Sequence, residues 1–104
     1  LSFSTQKRVS IARTLAVEPD YLLFDEPTTG MDPIATTGLN HLIKKLSQEL
    51  KVTTVVVSHD IKSAFAVGDR MILLDQGQIV FEGSAEKFKT STASLAKQFQ
   101  EEMF

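Results

Sequence analysis

Asp25 and Glu26 are adjacent carboxylates closed off by Pro27, and His59 and Asp60 follow a run of valines. Two neighbouring carboxylates suit a hydrated Mg²⁺ ion and a water molecule that needs a base, because a hard cation keeping several waters requires only one or two protein carboxylates. A neutral imidazole adds a hydrogen-bond donor without having to be protonated. The chemistry these residue types point to is metal-assisted hydrolysis. Asp32, two residues after the Thr28-Thr29-Gly30 turn, is a further polar candidate. Taken alone, Asp-Glu-Pro reads equally well as a solvated strand end, and a lone histidine as a turn residue; their elements decide between the readings.

Those elements are legible. Tyr21-Leu22-Leu23-Phe24 is an apolar run that stops at the two acids. A buried parallel strand delivers side chains in this way to the carboxyl edge of an open sheet, where α/β proteins bind ligands. Before it, Thr5–Val17 is rich in helix formers, with Val9, Ala12, Leu15 and Ala16 on one helical face, and Pro19-Asp20 breaks it. Asp32-Pro33 starts a second helix, a capping carboxylate followed by proline at the first helical position. Leu39, Leu42, Ile43, Leu46 and Leu50 recur along it at spacings of three and four. His41 falls on its solvated face. Thr53–Val57 is a β-branched run and reads as a second buried strand. Asp60 caps a short helix through Val67. Arg70–Leu74 and Gln78–Phe81 read as strands joined at Gln76-Gly77. Ser84, Lys87 and Phe88 suggest a short helix, and Thr92–Met103 a last one with a Leu95, Phe99, Met103 stripe. Strand–helix–strand alternation predicts an α/β fold with a parallel sheet flanked by helices.

Composition narrows the function. The chain has 104 residues, 42% of them hydrophobic, and a net charge of −2, so no basic surface for nucleic acid is indicated. Cysteine is absent, which excludes disulfides and thiolate metal sites and fits a reducing cytosol. No apolar stretch approaches the roughly 20 residues that span a bilayer.

Several segments together resemble one family. Leu1-Ser2 with Gln6-Lys7-Arg8-Val9 and Ile11-Ala12-Arg13 resembles the signature segment of ABC ATPases. LLFDEP resembles Walker B with its glutamate, TTGMDP the D-loop, and VVVSHD the switch-histidine loop. Their order and spacing cover nearly the whole chain. The resemblance is to the C-terminal half of an ABC transporter ATP-binding subunit, nearest in feel to the lipid-transport and toluene-tolerance branch. It implies a partial P-loop NTPase fold lacking the Walker A half, with residues 1–17 as the signature helix and 18–104 running from Walker B to the C-terminal helices of one ATP-binding domain. The cofactors implied are ATP and Mg²⁺. Asp25 would hold Mg²⁺ through a coordinated water, Glu26 would polarise the attacking water, and His59 would donate to the γ-phosphate. Ser2 and Gln6 would serve the signature contact to nucleotide on the opposite subunit, and Asp32 the dimer interface.

The partners implied are a second ATP-binding subunit and a transmembrane permease, with no nucleic acid, at the inner face of the cell membrane in the cytoplasm. Where the family's signature carries two glycines, Phe3 and Ser4 stand here. Those glycines let backbone N–H groups approach phosphate, so the departure marks either a degenerate site or a foreign junction at the start of the chain. No GxxxxGK[ST] loop occurs, and the chain begins at Leu1 inside a motif, so a fragment inactive on its own is the simplest expectation. In the related fold the phosphate-loop strand lies between the Val52–Val57 and Met71–Leu74 strands. Its removal predicts a loosened sheet, direct closure of the gap, or a swapped oligomer. The alternatives are a soluble, non-transport ABC ATPase and a non-catalytic interaction fragment. Translation factors of the first kind usually carry Asn-His where Thr29-Gly30-Met31 stands, which favours the transporter.

Overall fold

Side chains at the helix starts and left-handed residues at the ends set where most elements begin and stop. A computed structural model describes residues 2–91, and the chain divides into two compact units, Leu1–His59 and Asp60–Phe104. The expected last helix, Thr92–Met103, lies outside the described residues.

In the first unit, Ser2 caps α1 (Phe3–Leu15) by accepting the Thr5 N–H at 3.1 Å. Strand β1 (Tyr21–Asp25) follows, then α2 (Pro33–Leu50), capped by Asp32, which accepts the Ala35 N–H at 2.8 Å. Lys51, left-handed at φ 53°, ends α2, and β2 (Thr53–Val57) pairs in parallel with β1. The register sets Leu23 beside Val55 and Asp25 beside Val57. Leu22, Leu39 and Ile43 are buried between the sheet and the helices, with Leu42 and Leu46 half-buried. His41 is exposed, as expected.

The inward face of α1 differs from the one its apolar residues suggested. Val9, Ala12 and Ala16 are exposed, whereas Ser4, Lys7, Ile11 and Leu15 are half-buried. Hydrophobic periodicity misleads because much of the inward face is polar. Lys7, Ser10 and Thr14 line a groove of about 190 Å³ with Ile11 and with Leu22 and Asp25 of β1. A lysine stem can cover apolar surface while its ammonium stays in water.

In the second unit, Asp60 caps α3 (Ile61–Val67), accepting the Lys62 N–H at 3.1 Å and the Ser63 hydroxyl at 3.0 Å. Gly68 closes α3, and a Cβ there would stand 2.8 Å from the Ala64 carbonyl oxygen, so no larger residue fits unchanged. Strands β3 (Arg70–Asp75) and β4 (Gln78–Ser84) form an antiparallel hairpin turning at Gln76-Gly77, both at positive φ (48° and 77°). β4 runs past the expected Phe81 because Glu82–Ser84 continue to pair with Arg70–Ile72. α4 (Ala85–Ser91) then places Phe88 against Phe65 and Phe81, with ring centroids 5.5 and 5.1 Å apart.

The parallel sheet flanked by helices is present as β1–β2, while β3–β4 is a separate sheet. Among the described residues, β2 pairs with β1. One face of β1–β2 stays uncovered: Tyr21, Leu23, Val55 and Val57 are 77, 71, 54 and 48% exposed. Among the described residues, no helix is long and apolar enough to cross a membrane.

Candidate functional site

Strand β1 ends at Asp25, and the backbone then leaves the extended region sharply. Glu26 adopts φ 50°, a left-handed conformation that disfavours a residue with a Cβ. It is held there because its N–H continues the ladder to the Val57 carbonyl at 2.7 Å. Thr29 N–H closes the next turn on the Glu26 carbonyl at 3.3 Å, and Gly30 supplies a further positive φ of 82°. The adjacent acids therefore take different surroundings. The Asp25 carboxylate is exposed at the strand end, whereas Glu26 is half-buried in the turn.

Two residues beyond the end of β2, His59 meets Glu26. Nδ1 of His59 lies 2.7 Å from Glu26 Oε2, and the Thr29 hydroxyl donates to the same oxygen at a long 3.4 Å. The parallel register makes this possible, since Asp25 lies beside Val57 and both chains emerge from one sheet edge. The histidine side chain is 67% exposed and that of Glu26 34%. An ionised carboxylate only accepts, so Nδ1 donates in this bond. Nε2 of a neutral ring is then an acceptor, and donating from both nitrogens requires the imidazolium. The sequence-based view of His59 as a neutral donor to phosphate overlooked this competition, because nothing in the sequence pairs residues 33 positions apart.

The other candidates stand apart from this pair. Asp32 caps α2, and Ser2 caps α1 while donating its hydroxyl to Thr5 Oγ1 at 2.8 Å. Gln6 lies in the following turn, its N–H bonded to the Ser2 carbonyl at 2.9 Å. Phe3, 51% exposed, lies next to Gly30, and Lys7 Nζ stands 5.3 Å from its ring centroid.

The residues present fit Mg²⁺. Asp25 has neither a hydrogen-bond nor an ion-pair partner among the described residues, leaving its oxygens open to a hydrated hard cation. No group of three His, Cys, Asp or Glu side chains among the described residues could form a closed metal cage, and such an ion does not need one. They do not supply a phosphate cradle, since no Gly-rich GxxxxGK[ST] loop is in the sequence.

The chain is 39% identical over 99 residues to MlaF, the ATP-binding protein of the intermembrane phospholipid transport system of Escherichia coli, covering 95% of this chain and 37% of MlaF. It is 46% identical over 86 residues to TcyN, the L-cystine transport ATP-binding protein of the same organism, covering 83% and 34%. Among solved structures, CbiO1 of Clostridium perfringens, part of an ABC transporter complex, superposes at TM-score 0.81 with 31% identity over 93% of this chain and 39% of its own. The ATP-binding cassette MJ0796, a dimer in a post-hydrolysis state bound to ADP and phosphate, superposes at 0.68 with 42% identity over 81% and 36%.

This chain belongs to the family of ABC-transporter ATP-binding proteins.

No protein-family model matches it. It spans less than two-fifths of the length of these relatives. The ABC resemblance therefore stands, together with the P-loop NTPase fold class. Phospholipid and cystine systems both appear among the relatives, so the lipid branch is not singled out. Missed from sequence were the left-handed Glu26, the Val57 carbonyl that anchors it and the Thr29 hydroxyl. A non-glycine residue at a strand end followed by proline gives no signal of positive φ.

Proposed function

We propose that this chain supplies the hydrolytic edge of an ATP-binding subunit that couples ATP hydrolysis to transport through a permease. The observation that carries the reading is Glu26 Oε2 held 2.7 Å from His59 Nδ1 at the carboxyl end of a parallel sheet. Glu26 acts as the base that orients and polarises the attacking water. His59 holds the proton of its Nδ1 toward Glu26, and its Nε2 would donate to a γ-phosphate oxygen only with the ring doubly protonated. Asp25 would hold Mg²⁺, and the ion, when bound, would neutralise charge on the phosphates. Asp32 serves the D-loop contact while capping α2, and Ser2 and Gln6 serve the signature contact toward nucleotide on a second ATP-binding subunit. The dimeric MJ0796 and the complex containing CbiO1 support such partners, placed at the cytoplasmic face of a membrane by the permease.

Without a phosphate loop, the chain by itself binds ATP poorly and hydrolyses it negligibly. Joined to the GxxxxGK[ST]-bearing half of an ABC relative, it hydrolyses ATP. There Glu26→Gln slows turnover by about 10²–10⁴-fold while ATP binding is kept, the usual contribution of a general base. Turnover by the isolated chain that Glu26→Gln abolishes would contradict the first statement, and an unaffected Glu26→Gln chimera would contradict the second.

A further inference from the structure

Lys7 stands on the sheet-facing side of α1, and the function proposed above makes no use of it. With Ser10, Ile11 and Thr14 it lines the groove of about 190 Å³ that Asp25 borders at the end of β1. Residues three and four apart on a helix share a face, and a face turned toward a sheet ordinarily carries apolar side chains that fill the space beneath it. Here Val9 and Ala12 are turned to solvent instead, and polar side chains stand over a floor of buried Leu22 and Leu39. The space stays open, bordered by groups of opposite charge. Lys7 has no ion-pair partner among the described residues, and neither has Asp25. The Lys7 ammonium stands 5.3 Å from the Phe3 ring centroid, a cation–π contact at a half-exposed ring that it can leave at small cost. Thr14 spends its hydroxyl on the Ser10 carbonyl at 3.1 Å.

We propose that Lys7 is an anion-binding residue: with Mg²⁺ at Asp25, its ammonium holds a phosphate group in the groove between α1 and β1. The inference rests on the reading of Asp25 as the residue that would hold the ion. Without the ion, the carboxylate repels an anion from the groove. With it, the divalent charge outweighs the single carboxylate, and the lysine adds to an excess of positive charge that only an anion balances. Free orthophosphate and the phosphates of a nucleotide share the chemistry that this arrangement recognises. Lysine acts as a point charge and brings no cradle of backbone N–H groups, so binding is weak, on the order of millimolar. The groove therefore adds a phosphate contact to the site without replacing the missing phosphate loop.

The test uses the whole ¹⁵N-labelled chain as wild type, Lys7→Met, Lys7→Arg, Asp25→Asn and Lys44→Met, the last removing an exposed charge from α2. Methionine keeps an apolar stem in the place of the lysine's, so the fold is retained. Amide shifts of Lys7–Ile11 and Leu23–Asp25 are followed on adding orthophosphate at constant ionic strength, with and without Mg²⁺. In Mg²⁺, wild type, Lys7→Arg and Lys44→Met should saturate alike. Lys7→Met should weaken phosphate binding by at least about tenfold, the usual loss for a hydrogen bond to a charged group. Omitting Mg²⁺, or Asp25→Asn, should weaken it as much. Undiminished binding by Lys7→Met would overturn the proposal, as would an equal loss in Lys44→Met, the mark of a nonspecific charge effect. Mg²⁺ added alone separates the two levels. If it leaves the Asp25 amide unmoved, the reading of Asp25 falls and the proposal with it. If it moves that amide and Lys7→Met keeps full phosphate affinity, only the role of Lys7 falls. ADP in place of orthophosphate distinguishes the sources. Equal half-saturation means that a phosphate group alone is read, and saturation at lower ADP means that a nucleotide supplies it; in either case the loss in Lys7→Met must remain.

Discussion

Two side chains converge on one oxygen of Glu26, and their distances rank them. His59 approaches at 2.7 Å, within the range of a charge-assisted bond, whereas Thr29 stands at 3.4 Å, the weak end of hydrogen bonding. The histidine is therefore the group that aims the carboxylate, and the threonine only trims its rotamer. In the chimera that restores a phosphate loop, Thr29→Val should lower ATP turnover by less than about tenfold, near the roughly 1.4 kcal/mol that factor represents. His59→Ala should lower it by at least about a hundredfold, within the range of positioned acid–base groups. Steady-state turnover at saturating ATP, on matched preparations, measures both. Equal losses would mean that the carboxylate is oriented by the turn and not by the imidazole. The backbone of Glu26 bears on the same point, since a left-handed non-glycine residue costs of order 1–2 kcal/mol. The Glu26 N–H bond to Val57 offsets that cost, and the residue's surroundings keep it in a conformation that unrestrained chains avoid.

Asp32 shows how one side chain fixes the start of an element. Its carboxylate accepts the Ala35 N–H at 2.8 Å and Pro33 fills the first position of α2, so Asp32→Ala should destabilise the chain by about 1 kcal/mol. Urea denaturation followed by circular dichroism would read this as a lower midpoint with unchanged slope, and an unshifted midpoint would leave Asp32 without a structural role. Such caps are why much of the fold was legible. β1 and β2 begin and end where read, because an unbroken apolar run and an unbroken β-branched run are bounded by residues that cannot continue them. α3 follows from Asp60 in the same way. What escaped depends on distant partners. β4 extends to Ser84 only because β3 offers Arg70–Ile72 to pair with it. The face of α1 is set by Leu22 and Asp25 across the groove, against which Lys7 and Ser10 lie while Val9 points outward. Residue type and element single out Asp25, Glu26 and His59 as candidates, but the bond between two of them required the parallel register that no local pattern encodes.

At the scale of the whole molecule, the uncovered face of β1–β2 is the feature that physical expectation resists most. Parallel sheets are covered on both faces, yet Tyr21, Leu23, Val55 and Val57 stand in solvent, and Leu23 and Val55 sit side by side in the register. The hairpin of the second unit likewise exposes Ile72, Leu74 and Ile79. The same residue should then have different energetic weight in different contexts. In the chain by itself, Leu23→Ala acts as a surface substitution and shifts stability by no more than about 0.5 kcal/mol. In a chimera whose added half covers the sheet, the same change opens a cavity and costs about 2–5 kcal/mol. Urea unfolding of the two proteins, each with and without the substitution, measures the difference directly. A large cost already present in the isolated chain would mean that the face is buried in solution by a second copy. Sedimentation at several concentrations would then show an oligomer that dissociates on dilution. A small cost in both would mean that the face is never buried, and the chemistry at its edge would have to work on an open sheet. The first pattern is expected, because a parallel sheet with an apolar face such as Leu23 and Val55 is ordinarily covered on both sides.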